Sequence, residues 1–288
     1  MRGEVAPRQG EVASKRREVA PRQGEVAPMR GEVASKKREV TMKIRKERFF
    51  MLIEVIVQHP DDARDAEKYG VDRLELVTAI GEGGLTPSYG MMIKSVIDQV
   101  NIPVQVMVRP HSRSFIYTQE ELNIIKEDIN IMKNIGVQGI VFGCLDQHGM
   151  IDEQTLQQVL EVTGDMDVTF HRAFDEAKDL VRSYKTLCKY KNQISRVLTS
   201  GGQATVKETD PLTTLIELQK ELNGPEILVG SGLKQSTFKQ IAQKINANEY
   251  HFGSGVRVDG SFVEPIDEKK VRSFREVGDL IRRSSGSK

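Results

Sequence analysis

From residue 51 onward, short aliphatic and β-branched runs alternate with stretches whose apolar positions recur every three or four residues. The runs are LIEVIV (52–57), RLELV (73–77), PVQVMV (103–108), GIVFGCL (139–145), DVTFHR (167–172), SRVLTS (195–200), EILVG (226–230) and EYHFG (249–253). Runs of this length and composition read as strands. Between them lie helical stretches at 61–69, 88–99, 119–135, 152–163, 176–190, 211–222, 235–245 and 267–281. The third shows its period plainly. Leu122, Ile125, Ile129 and Met132 line one face, with Glu120, Glu121, Lys126 and Lys133 between them. Thr118 followed by Glu121 spells a capping box at its start. Gly70 and Gly136 stand where helices stop before the next strand.

Eight strand–helix units in about 240 residues predict an α/β fold of the (β/α)8 TIM-barrel type. A doubly wound open sheet is the competing architecture. Its first turn should carry a glycine fingerprint, and here the turn reads Gln58-His59-Pro60-Asp61. The expected division is therefore a preceding segment of residues 1–50 and a barrel of residues 51–288.

That segment follows a different pattern. Glu-Val recurs every seven residues from Glu4 to Glu39. The period suggests a coiled coil, but Val and Ala are adjacent in each repeat and cannot form one seam. Pro7, Pro21 and Pro28 break a helix, and Gly10, Gly24 and Gly31 weaken it. The segment is expected to be disordered and dispensable for the fold, with Met51 (or Met42) as the natural start. No apolar core of a secretory signal follows the first basic residues, and the regular glutamates are wrong for a mitochondrial presequence.

Composition now changes the picture. The 288 residues carry 42 Lys+Arg and 41 Asp+Glu, a net charge of +1. Residues 1–50 hold 14 basic and 7 acidic residues, so the barrel alone is acidic. That disfavours nucleic acid as its partner. Two cysteines, Cys144 and Cys188, cannot build a disulfide scaffold or a four-thiolate metal site. No uncharged apolar run approaches the roughly 18 residues of a membrane span.

Barrel chemistry collects at the C-terminal ends of the strands. Glu54, Glu75, Arg109 and His171 are polar residues in or at the end of four strands that should be aliphatic. A buried charge needs a partner or a metal, so these four mark either a site or an ion-pair network inside the barrel. Glycine loops follow strands six, seven and eight, and such loops can cradle an anion. The candidate catalytic groups are Glu54, Glu75 and His171. The candidate binding groups are Arg109, Arg172, Thr199, Ser200, Gly201, Gly202, Gly230, Gly232, His251 and Ser254. Arg109 and Arg172 would hold an anion while His171, with Glu54 or Glu75, moves protons. No lysine lies inside a strand, which disfavours Schiff-base chemistry. These residues describe a lyase, isomerase or hydrolase acting on a small anionic or phosphorylated substrate. They assign no metal ligands.

GVDRLEL (70–76), EGGLTPSYG (82–90), IPVQVMVRP (102–110), DVTFHRAFD (167–175) and RVLTSGG (196–202) closely resemble the CutC family, named for copper homeostasis. The resemblance runs from about Met51 to Gly260. It implies a cytoplasmic, self-associating TIM barrel linked to copper, by copper ion binding. It carries over Glu54, Glu75, Arg109, His171, Arg172, Thr199 and Ser200 as strand-end matches. Some family members have cysteines where this chain has Ile56, Val57 and Val77. Thiolates are the natural Cu(I) ligands, so copper here must use other donors. The loop after strand three, Ser112-Arg113-Ser114-Phe115, is basic where family members often have a Gly-Gly-Asp-Phe stretch, which favours an anionic ligand there.

Overall fold

A computed structural model describes residues 51–285. The heptad-length repeat, and the expectation that it is disordered, fall outside the described residues. The chain from residue 51 runs β1 (Leu52–Val57), α1 (Pro60–Lys68), β2 (Arg73–Leu76), α2 (Lys94–Gln99), β3 (Val104–Met107), α3 (Gln119–Asn134), β4 (Gly139–Phe142) and α4 (Glu153–Thr163). It continues with β5 (Asp167–Phe170), α5 (Leu180–Cys188), β6 (Ile194–Thr199), α6 (Asp210–Leu222), β7 (Glu226–Gly230), α7 (Gln235–Ile245), β8 (Glu249–Phe252) and α8 (Glu268–Ser285). The strands are parallel and close in sequence order, with β8 pairing β1: a TIM barrel. No helix among the described residues is long and apolar enough to cross a membrane.

Local chemistry sets the helix ends. Thr118 accepts the Glu121 N–H, and the Glu121 carboxylate accepts the Thr118 N–H, completing the capping box of α3. Gly70 and Gly136 take φ of +93° and +92°, the left-handed region a side chain resists. Two helices start later than their apolar pattern suggests. The stretch from Ser88 first makes a π-helical turn, Tyr89–Ile93, before α2. The stretch from 176 waits for Asp179, whose carboxylate accepts the Arg182 N–H.

Each strand buries both faces, as parallel strands between helices must. Outward residues such as Ile53, Val55, Leu74, Leu76 and Ile140 pack under the helices and are fully buried. The inward residues follow from the register. Glu54 pairs Arg73 and His251, Ile56 pairs Glu75, and Glu75 pairs Gln105. Further round, Gln105 pairs Gly139, Gly139 pairs Asp167, and Thr169 pairs Arg196. Paired residues in a parallel sheet share a face, so these side chains fill the barrel.

The filling is layered. Ile56, Val77, Met107 and Val141 form an apolar cluster, with Ile80 and Phe262 packed on it. Ile56, Val77 and Met107 each lie two residues beyond Glu54, Glu75 and Gln105, on the same face and one layer nearer the C-terminal end. Arg109 and His171 lie a further step outward, past Met107 and Thr169.

Candidate functional site

The polar interior is built from residues on six strands. Arg73 is 2% exposed and ion-pairs Glu54, while its Nη2 donates to Glu249 Oε2 at 2.6 Å. Arg196, fully buried, reaches Asp167 Oδ2 at 2.7 Å, Thr169 Oγ1 at 2.9 Å and Glu249 Oε2 at 3.3 Å. Gln105 Nε2 donates to Asp167 Oδ2 at 2.9 Å. Above this floor stand Glu54, Glu75 and His251. His251 Nδ1 donates to Glu54 Oε1 at 2.8 Å, and its Nε2 lies 3.7 Å from Glu75 Oε2. Glu75 Oε1 is buried without a hydrogen-bond partner.

The two carboxyls titrate apart. Burial alone would raise Glu54, but Arg73 and His251 outweigh it and lower it to about 2. Burial raises Glu75 to about 7, with the negative charge of Glu54 adding to the rise against the pull of His251 and Arg73. Burial disfavours a charged His251, but Glu75 and Glu54 reverse this and raise it. Charge counting agrees. Four carboxylates (Glu54, Glu75, Asp167, Glu249) face two guanidiniums, so protons on His251 and Glu75 bring the interior to balance. A fixed carboxylate, an imidazole and a carboxyl poised near neutrality can hold and pass a proton. The same three residues bring one oxygen or nitrogen ligand atom each within 4.8 Å of one another.

The second group lies at the mouth. Arg109 is 8% exposed, with its Cζ 4.5 Å above the Phe115 ring. His171 packs its ring 4.9 Å from the same phenyl. The Ala173 N–H donates to His171 Nδ1 at 3.1 Å. Burial and the neighbouring Arg109 charge push His171 down to about 3, so the ring is neutral with its proton on Nε2. Gly143 leaves the space His171 needs, since a Cβ there would overlap the ring. Cys144 nearby is buried and held as a thiol by that burial.

The third group joins β5 to β6. Asp175 accepts from the Ser200 N–H at 3.0 Å, the Gly202 N–H at 3.0 Å and the Thr199 hydroxyl. Arg172 ion-pairs Asp175 at 2.8 Å and donates to Ser200 Oγ and the Gln203 carbonyl. The Gly201 N–H donates to Thr199 Oγ1 at 2.9 Å. These residues hold one another. Arg172 Nε and Nη2 and the Gly201 and Gly202 N–H groups, expected from the sequence to face an anion, are held by Asp175, Ser200, Gln203 and Thr199.

The glycines at the end of β7 are tightly surrounded. A Cβ at Gly230 would come within 2.6 Å of Leu198 Cδ1 and 3.1 Å of His251 Cβ. Gly232, with φ of +71°, lies against Thr205. Ser254 opens a short 3-10 turn through Val256.

The structure thus separates what the strand-end pattern gathers at one mouth. Glu54 and Glu75 meet His251 below the apolar layer, and Arg109 and His171 meet Phe115 above it. His251, read from sequence as a binding residue, is the imidazole that touches both carboxylates; His171 lies apart from them. Arg73, Glu249, Arg196 and Asp167 were not singled out, although alternation places Arg73 two residues before Glu75 and Glu249 two before His251.

A sequence profile of the CutC family matches residues 51–256. The chain is 37% identical over 228 residues to a copper homeostasis protein cutC homolog of Dictyostelium discoideum, covering 70% of this chain and 81% of that one. It is 36% identical over 209 residues to a family protein CutC of Pasteurella multocida, covering 72% of this chain and 84% of the relative. The solved CutC of Streptococcus agalactiae superposes with a TM-score of 0.64 at 28% identity, covering 70% of this chain and 98% of that chain. With the profile spanning most of the barrel and relatives matched over most of their own length, the chain belongs to the CutC family.

Proposed function

We propose that this protein takes part in copper homeostasis by binding copper inside the barrel, through His251 Nε2 and Glu75. The names of its relatives support the copper link. The observation that carries the site is the arrangement around His251. Its Nδ1–H is held by the Glu54 carboxylate at 2.8 Å, which turns Nε2 toward Glu75, whose Oε1 has no partner. A carboxylate that fixes an imidazole for a metal on the far nitrogen is a recurring arrangement.

The donor set decides the oxidation state. Nitrogen and oxygen donors suit Cu(II), whereas Cu(I) prefers thiolates. Two positions where some family members have cysteine are here Ile56 and Val77, both in the apolar layer. Cys144 is occupied against the Asp152 carbonyl at 3.5 Å, and Cys188 sits on α5. Glu75 and His251 would hold the ion, Glu54 would orient His251, and the ion would supply a positive centre that replaces the buried protons. The same reading places the protein in the cytoplasm as a homo-oligomer, which cell fractionation and sedimentation check.

The test is titration of the full chain with Cu(II), read by calorimetry and electron paramagnetic resonance. One equivalent with nitrogen coupling from a single imidazole is expected. Glu75→Gln should weaken binding at least about tenfold, and Glu54→Gln by about 10–100-fold through loss of the orienting contact. An unchanged copper spectrum in Glu75→Gln, with the variant shown folded by circular dichroism, overturns the site.

A further inference from the structure

Three buried hydrogen-bond donors at the mouth have no acceptor among the described residues: Arg109 Nε, His171 Nε2 and Tyr117 Oη. In a folded interior nearly every such group finds a partner, and a group left without one costs stability. Arg109 is the sharpest case. Its terminal nitrogens reach only the Glu82 and Ser112 carbonyls, both at 3.4 Å, beyond the usual range for a hydrogen bond. No carboxylate among the described residues ion-pairs it. The other guanidiniums that are as fully buried, Arg73, Arg196 and Arg257, each hold at least one carboxylate.

The three donors belong to one neighbourhood. The Arg109 guanidinium and the His171 ring both pack on Phe115. Tyr117 lies two residues beyond Phe115 and stacks on Phe142, whose carbonyl accepts the His171 N–H at 3.0 Å. The Arg109 charge is felt by both His171 and Tyr117. His171 uses Nδ1 as an acceptor, so Nε2 is a donor; burial keeps the Tyr117 phenol protonated, so Oη is a donor too. Arg109 Nε and His171 Nε2 can only donate, and Tyr117 Oη can donate as well as accept; His111, its ring 5.7 Å from that of Tyr117, turns Nε2 to Glu121 Oε1 at 2.9 Å, so the complement of the three is a ligand that accepts.

We propose that the mouth binds a small organic carboxylate, with Arg109 Nε and Nη2 gripping the two oxygens and His171 Nε2 and Tyr117 Oη completing the cradle. The number of charges selects the class. Arg109 is one unpaired cation and His171 is neutral, so a single negative charge balances the site and a phosphate dianion overfills it. Planar carboxylates match the guanidinium fork, and Phe115 and Phe142 offer apolar walls for the rest of the ligand. The Ser112 hydroxyl, donating to Glu82 Oε2 at 2.6 Å, ties together the two loops that cover Arg109. This site stands apart from the copper reading and does not depend on it.

The experiment titrates metal-free full-length protein with sodium acetate, pyruvate and benzoate, and separately with inorganic phosphate. Heat and the ¹⁵N resonance of His171 Nε2 are the readouts. Saturable binding of at least one carboxylate, with a shift of that nitrogen, is expected. Arg109→Lys keeps the charge but loses the fork, and should weaken binding at least tenfold. Tyr117→Phe should weaken it several-fold with the unfolding midpoint unchanged, since only an unpartnered hydroxyl is removed. No saturation with any carboxylate, tighter binding of phosphate than of every carboxylate, or full affinity in Arg109→Lys each overturns the proposal.

Discussion

A buried guanidinium takes its meaning from its partners, and this barrel contains both extremes. Arg73 bridges Glu54 and Glu249, so removing it strands two carboxylates in the interior. Arg73→Met should therefore cost about 3–5 kcal/mol in urea unfolding. Arg109 has only a phenyl ring and distant carbonyls, so Arg109→Met should stay within about 1 kcal/mol of wild type. A loss at Arg109 as large as at Arg73 would mean that Arg109 is an ordinary structural residue. His171 makes a second residue-scale prediction. Its folded pKa is about 3 against 6.5 for a free imidazole, because burial and Arg109 disfavour the charged ring. Below pH 6.5 the unfolded chain takes up a proton that the folded chain refuses. Its contribution is fully present above pH 6.5 and is lost as pH falls toward 3, by at most about 1.4 kcal/mol per pH unit. His171→Gln cannot titrate, so the stability gap between wild type and variant should shift against wild type between pH 6.5 and pH 4. Parallel pH curves for the two proteins would contradict the assignment.

At the scale of elements, the strands and most helices were legible because each announces itself locally. Strand residues such as Val104, Val106 and Ile140 are aliphatic on the face under the helices, and the capping box at Thr118 marks the start of α3 to the residue. Thr118→Ala should lower stability by about 1 kcal/mol, measured by denaturant unfolding, and no more, since only the cap is lost. The late starts of α2 and α5 were not legible, because a π-helical turn or a capping aspartate competes with an apolar period that is satisfied either way. The candidate site was half legible. Glu54, Glu75, Arg109 and His171 stood out as polar residues where aliphatic ones belong. That they occupy two levels did not, because level depends on the register between strands. The pairing of Ile56 with Glu75, rather than with Val77, comes from the tilt of the closed barrel and leaves no mark in composition. His251 was visible as a histidine in β8 but not as the partner of Glu54, 197 residues away.

At the scale of the molecule, charge and chain length regain meaning once the barrel is set apart. We propose that the folding unit begins at Met51. Its side chain packs beside Gly278, its carbonyl accepts from Arg275 Nη1 at 2.6 Å, and β1 starts at the next residue. A chain starting at Met51 should unfold at the same midpoint as the full chain and bind the same copper and carboxylate probes. A midpoint lowered by several degrees would show that the repeat supports the barrel. The net charge of +1 describes neither part well, since the barrel that carries the site is acidic.

The ion pairs on the barrel floor have a consequence for how such a chain can be divided. Arg73 on β2 closes onto Glu249 on β8, and Arg196 on β6 joins Asp167 on β5 to that same Glu249. A cut between β4 and β5 would send Glu54, Arg73 and Glu75 into one fragment and Asp167, Arg196 and Glu249 into the other. Each half would then present charges with missing counterparts on a surface that must become dry. Neither half is a self-sufficient module, so a hybrid joining one half of this barrel to the half of an unrelated one inherits mismatched charges at its seam, however well the backbones superpose.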